Sequence, residues 1–316
     1  MKRIISMILA VLSAAALVSC AGDRGDKGES MKTEESSGTS SQTAATEAPE
    51  DDAPESFNVL AIGNSFTIDT FEYLYGIAES YGAENIYLAN AAIGGAGLVN
   101  HIECLRGDLA KYDYYLFNGR TESTSGHTLK ECLGARKWDV IAMIGTSGVV
   151  GLDNQYPLLP ELISYVKKNS ANPDARLAWL FSWAYQSDST HPSFPLYDRD
   201  QMKMHTMGVK MTEKYAATNP DISVVVPLAT TFQNIRTGFI GDHLTRDGFH
   251  ADLTVGRYAL ALTFYCSVTG ADPWKCSFRL ETGVTEEGKT FDLIAESVEN
   301  AIKEPYKMTQ SAYTQE

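Results

Sequence analysis

Five short, nearly uninterrupted apolar runs constrain the fold more than any other feature of the sequence. They are Phe57–Ile62 before Gly63, a stretch over 85–92, Trp138–Ile144 before Gly145, one over 176–181, and Ile222–Val226 before Pro227. Between and after them apolar residues recur at helical spacing. Phe71, Leu74, Tyr75 and Ala78 follow an i, i+3, i+4, i+7 pattern, and further helical patterns cover 156–168, 199–215, 254–268 and 291–302. The last places Phe291, Ile294, Val298 and Ala301 on one face. Strands apolar at every position are buried on both faces, which requires a parallel sheet with helices packed on each side. The pattern predicts one α/β domain over 57–316, a three-layer α/β/α sandwich with a five-stranded, mostly parallel sheet. No internal repeat or second linker divides it. In such sheets ligands bind at the carboxyl ends of the strands, so the chemistry should follow the apolar runs.

The N-terminal residues read differently. Lys2 and Arg3 precede an uncharged run from Ile4 to Val18. That run fits the apolar region of a signal peptide and falls short of the ~20 residues a spanning helix needs. It ends Leu17-Val18-Ser19-Cys20, which resembles a bacterial lipobox. Residues 1–19 are then a lipoprotein signal peptide, and Cys20 carries the lipid that attaches the exported chain to a bacterial membrane, in the periplasm or at the cell surface. The alternative is an ordinary secretory signal with an incidental Cys. Residues 20–56 are rich in Ser, Thr, Gly and acids, with ten acidic and three basic residues, and read as a flexible, disordered acidic tether. The net charge of the whole chain, −14, opposes binding to a phosphate backbone, so nucleic acid is not an expected partner. Cys104, Cys132, Cys266 and Cys276 allow three disulfide connectivities or buried free thiols, and their spacings are not those of a zinc site.

Four segments at the ends of apolar runs carry candidate chemistry. Gly63-Asn64-Ser65-Phe66 places a serine at a strand-to-helix turn, where a helix N-terminus favours developing negative charge; a plain N-cap is the alternative. Ile93-Gly94-Gly95-Ala96-Gly97-Leu98 lets backbone N–H groups approach a ligand, but misses the dinucleotide spacing. Gly145-Thr146-Ser147-Gly148 follows the third run. After the fifth comes Leu244-Thr245-Arg246-Asp247-Gly248-Phe249-His250. An Asp three residues before a His can reach Nδ1 and leave Nε2 free to take a proton from a hydroxyl. The alternative is a helix cap or Asx turn at Asp247 with a surface His250. His243 competes with His250 but lacks an Asp at that offset, and Asp242 and Asp252 are lesser alternatives to Asp247. Trp183, Tyr185 and Gln186 follow the fourth run, where aromatic rings at a rim would stack on sugar faces or instead pack beneath a loop. His101 follows the glycine segment and is placed along the pocket. His127, His191 and His205 read as solvated or core residues, and Met202, Met204, Met207 and Met211 as core.

Together these segments resemble the SGNH/GDSL hydrolase superfamily: a Gly-x-Ser-Phe turn, an Asn-x-x-x-x-Gly element from Asn90 to Gly95, Ile144-Gly145-Thr146-Ser147, and a late Asp-x-x-His. They are most similar to a branch of exported lipoproteins marked by GNSF and TRDGFH. The resemblance implies a flavodoxin-like fold, with Ser65 as nucleophile, His250 as general base and acid, and Asp247 as its orienter. It implies an oxyanion hole from the N–H groups of Ser65 and Gly95 with Ser147. Two positions depart from the superfamily: Asn64 replaces the usual Asp, and Ser147 the usual Asn. Loss of one oxyanion donor typically costs ~10²–10³ in rate. The implied activity is hydrolysis of small O-acyl esters such as acetyl, on carbohydrate, without a metal or other cofactor. Two rivals are a non-catalytic glycan-binding surface lipoprotein on the same fold, which would tolerate loss of Ser65, and a lipid-ester hydrolase, for which no long apolar loop speaks.

Overall fold

The computed structural model describes residues 54–280 and 287–314. The expected signal peptide, Cys20 and nearly all of the tether lie outside these residues. The five apolar runs form strands β1 (Ser56–Gly63), β2 (Asn85–Ala92), β5 (Val140–Met143), β6 (Arg176–Leu180) and β7 (Ile222–Val226). They are parallel and lie side by side in the order β2-β1-β5-β6-β7. Among the parallel strands this is the 2-1-3-4-5 order of doubly wound folds, whose crevice opens where the order reverses, between β1 and β5.

Alternate residues of each strand enter opposite cores. Val59, Ala61, Val140, Ala142, Ala178 and Leu180 pack on one side, and Leu60, Ile62, Ile141, Met143, Leu177 and Trp179 on the other. The first side is covered by α1 (Ser65–Phe71), α2 (Leu74–Ser80), α6 (Gln201–Met211), α7 (Leu228–Arg236), α8 (Val255–Thr269) and α9 (Glu287–Lys303). The second is covered by α3 (Leu98–Gly107), α4 (Leu129–Gly134) and α5 (Leu159–Asn169). Burial on both faces is why these strands read as continuous apolar runs. Helix α8, with twelve of its residues buried, is apolar all round because it lies beneath other helices.

The sheet has seven strands, not five. A hairpin of β3 (Tyr112–Phe117) and β4 (Thr121–His127) adds antiparallel to β2. Its turn contains Gly119 at φ +86°. The sequence hid it because β4 is exposed at every position but the last, so Thr-Glu-Ser-Thr-Ser-Gly-His carries no apolar signal. Helices α3, α4 and α7 were also unforeseen, and the helical pattern over 71–78 is two helices broken at Glu72–Tyr73. The four cysteines of this region are buried free thiols. Among the described residues no helix is long and apolar enough to cross a membrane.

Candidate active site

Ser65 is the first residue of α1, directly beyond the carboxyl end of β1. Two constraints shape this turn. A Cβ on Gly63 would lie 2.5 Å from Thr67 Cγ2 and 2.7 Å from Ile144, so only glycine fits where the chain leaves the sheet. Asn64 then caps the helix: its Oδ1 accepts from Phe66 N at 2.9 Å, and its own N–H donates to Thr67 Oγ1 at 3.2 Å. The remaining amide group ties the turn to its neighbours. Asn64 Nδ2 donates to Ala96 O at 2.8 Å, in the glycine segment after β2, and to Gly145 O at 3.3 Å, after β5. Three of the four candidate segments thus meet at one buried side chain.

The fourth segment closes over them. Ser65 Oγ lies 2.8 Å from His250 Nε2, and His250 Nδ1 lies 2.6 Å from Asp247 Oδ2. The other Asp247 oxygen accepts from the N–H groups of His250 (2.8 Å) and Phe249 (3.2 Å). Burial pushes the Asp247 carboxyl up, but the hydrogen bonds from the His250 ring and from these two N–H groups outweigh it and leave it below its ordinary value. An ionised Asp247 accepting from Nδ1–H leaves Nε2 as the basic nitrogen facing the serine.

The glycine segment turns back sharply at Gly95, at φ +67°, and open space lies where its Cβ would be. Ser147 begins a short helical turn after β5 and is buried, with its Oγ 3.1 Å from the Tyr185 hydroxyl. Ser65, Gly95 and Ser147 therefore belong to three segments held together at the β1/β5 crevice.

Among the remaining sequence candidates, Trp183, Tyr185, Gln186 and His101 do not take the rim and pocket positions considered for them. Trp183 and Tyr185 are fully buried and present no ring face at a rim. Trp183 stacks on Phe66, with ring centroids 4.1 Å apart, and donates its indole N–H to Phe249 O at 2.8 Å. Gln186 accepts from Thr245 Oγ1 at 2.7 Å, and its N–H donates to Gly248 O at 2.9 Å. Both residues hold the Asp247–His250 loop from below. His101 is fully buried against Tyr112, 3.0 Å from its hydroxyl, and desolvation lowers it to about 4; it packs in the core and not along a pocket. His205 is likewise buried, and lowered to about 4 by desolvation and then by Arg236. His243 is exposed. The aromatic surface beside His250 is instead Phe249, half-buried and 4.2 Å away between ring centroids, with His191 behind it at 4.7 Å. His191 Nδ1 accepts from Ser193 N at 3.1 Å, and the ring is held below its ordinary value by burial and then by His250.

Sequence reasoning missed Asp69, Arg246 and Arg257. Asp69 is a fully buried acid on α1 that meets both arginines. Its one signal was a lone carboxylate one turn past Ser65 in an otherwise apolar and hydroxylic stretch. Among the described residues no three His, Cys, Asp or Glu side chains group as a metal site.

A family model described as a domain of unknown function, DUF4886, matches residues 58–296. The chain belongs to this family. A crystal structure of a DUF4886 family protein from Bacteroides uniformis is similar at 34% identity and a TM-score of 0.76, over 81% of this chain and 98% of that one. The matched region contains every segment that meets at Asn64 and His250. An acetylxylan esterase from Geobacillus stearothermophilus is similar at 14% identity and a TM-score of 0.43, over 71% of this chain and 96% of that one. No curated protein matches.

Proposed function

We propose that this DUF4886 protein is a serine esterase that removes small O-acyl groups such as acetyl, with carbohydrate as the carrier. The observation that carries the reading is the continuous hydrogen-bonded line from Ser65 Oγ through His250 to Asp247, at 2.8 and 2.6 Å. A hydroxyl, an imidazole of fixed tautomer and an orienting carboxylate are the parts acyl transfer requires. Ser65 Oγ attacks the ester carbonyl while His250 Nε2 takes its proton. The oxyanion is received by the N–H groups of Ser65 and Gly95, and by the Ser147 hydroxyl when Tyr185 donates to it and leaves its proton free. His250 returns the proton to the departing alcohol, and water repeats the sequence on the acyl-enzyme. The resemblance of the four segments supports a small acyl group and a glycan carrier, as does the half-buried Phe249 ring beside His250. The proposal includes the lipid anchor at Cys20 and export to a bacterial membrane, supported by the N-terminal sequence.

The test is hydrolysis of a chromogenic acetyl ester by the protein beside Ser65→Ala and His250→Ala. Turnover should fall at least about 10³-fold in both variants. Acetylated oligosaccharides and longer acyl chains then separate a carbohydrate esterase from a lipid-ester hydrolase. Equal turnover in the parent and in Ser65→Ala would remove the serine mechanism. In a bacterial host, Cys20→Ala should release the protein from the membrane fraction.

A further inference from the structure

The motif that carries Asp247 and His250 also contains Arg246, which the acyl-transfer reading leaves without a task. Arg246 Nη1 contacts both oxygens of Asp69, at 3.0 and 3.1 Å. Arg257, from α8, reaches the same carboxylate through Nε at 2.9 Å and Nη2 at 2.9 Å. A fourth donor is Ala251 N–H, at 3.1 Å. Asp69 has 1% of its side chain exposed, so the charge is almost wholly withdrawn from water. A buried ionic cluster is a poor way to gain stability, since apolar residues of similar volume often do as well or better. Its position suggests another use. Asp69 sits on α1 one turn beyond Ser65, while Arg246 and Ala251 immediately bracket the segment 247–250. The loop is also closed on itself, by Arg246 N to His250 O at 3.0 Å and by the Arg246 guanidinium to Ala251 O.

We infer that Asp69 is a positioning residue: by holding both ends of the 247–250 loop against the helix that bears Ser65, it sets the separation of Ser65 Oγ and His250 Nε2. The inference rests on the esterase reading for its kinetic consequence, though not for its geometry. Proton transfer depends steeply on that separation, because a displacement of about 1 Å costs on the order of 10²-fold in rate. Asp69 touches no substrate and acts only through the two residues it holds in register.

The experiment compares the full-length protein with Asp69→Asn, Arg246→Met, Arg246→Lys and Leu293→Ala. Leu293 is a buried core residue of α9 and serves as a destabilised control. Three quantities are read on folded protein: kcat and KM for a chromogenic acetyl ester, the rate of Ser65 labelling by a fluorophosphonate, and the low-field proton resonance of the His250 Nδ1–H···Asp247 bond. Asp69→Asn should lower kcat and the labelling rate together by about 10–100-fold, keep KM within about twofold, and shift or broaden the resonance. Arg246→Met should lie between it and the parent, with Arg246→Lys recovering part of the loss; these two carry the test if Asp69→Asn does not fold. Leu293→Ala should lower the thermal midpoint with all three readings unchanged. The inference is overturned by a folded Asp69→Asn or Arg246→Met with parental kcat, labelling and resonance, or by equal losses in Leu293→Ala. A parent that neither turns over nor labels refutes the esterase reading instead, and the resonance alone then decides the positioning role.

Discussion

Asn64 shows what an amide does at the turn where the chain leaves the sheet. Its carbonyl oxygen caps α1 while its nitrogen donates to Ala96 O and Gly145 O, binding together the segments after β1, β2 and β5. A carboxylate at this position would turn an oxygen toward two carbonyl oxygens with no proton between them. Asn64→Asp should therefore lower stability by about 1–3 kcal/mol and lower turnover as well. Urea unfolding of the variant checks it, and an unchanged midpoint would mean that the two donations contribute nothing. At this scale the site was partly legible. Ser65, Asp247 and His250 stand within short motifs at the ends of apolar runs, and the spacing of Asp247 and His250 already lets carboxylate and imidazole meet. Trp183 and Tyr185 were misplaced because a ring at the end of a strand is exposed or buried according to what other segments lay over it. Asp69 escaped notice because its partners lie 177 and 188 residues away.

The loop from Thr245 to Ala251 is the element on which the site turns. It is pinned by a bridge between its ends, by Trp183 and Gln186 from beneath, and by Asp69 from the side. Gly248 stands at its apex with φ +88°, and a Cβ there would come within 2.9 Å of Ser189 Oγ and 3.2 Å of Ser189 Cα. A side chain must both adopt the left-handed region and push the loop off its support. Gly248→Ala should thus reduce kcat far more than it reduces the thermal midpoint, and a parallel measurement of the two in one preparation tests this. Loss of stability without loss of turnover in the folded fraction would separate the loop from the chemistry. Among the elements, those with continuous apolar runs were legible, and the hairpin was not. Strand β4 is an exposed edge with polar residues at nearly every position, and exposure on both faces erases the periodicity by which strands are read.

At the scale of the whole molecule, one sheet divides two cores, and a histidine is buried neutral on each side, His101 with the second core and His205 beside Phe181 of the first. Both are lowered to about 4, against about 6.5 in an unfolded chain. Between pH 6.5 and 4 the unfolded chain binds protons that the folded chain refuses, so stability falls as pH drops through that window and is independent of these groups above it. The loss by pH 4.5 is roughly 2 kcal/mol per histidine. Urea midpoints at pH 7 and 4.5 give the combined loss, and His205→Gln should make it smaller. The layered α/β architecture with a parallel sheet was legible from five apolar runs, whereas which of those runs adjoin was not, because lateral order is fixed by helix packing across the sheet. That order has a consequence in time. Ser65 and His250 are 185 residues apart in the chain. At ~5–20 residues per second the ribosome makes the histidine roughly 10–40 s after the serine. A nascent or truncated chain thus holds Ser65 without the imidazole, and under the proposed function hydrolysis would begin only once the closing loop has docked on a completed sheet.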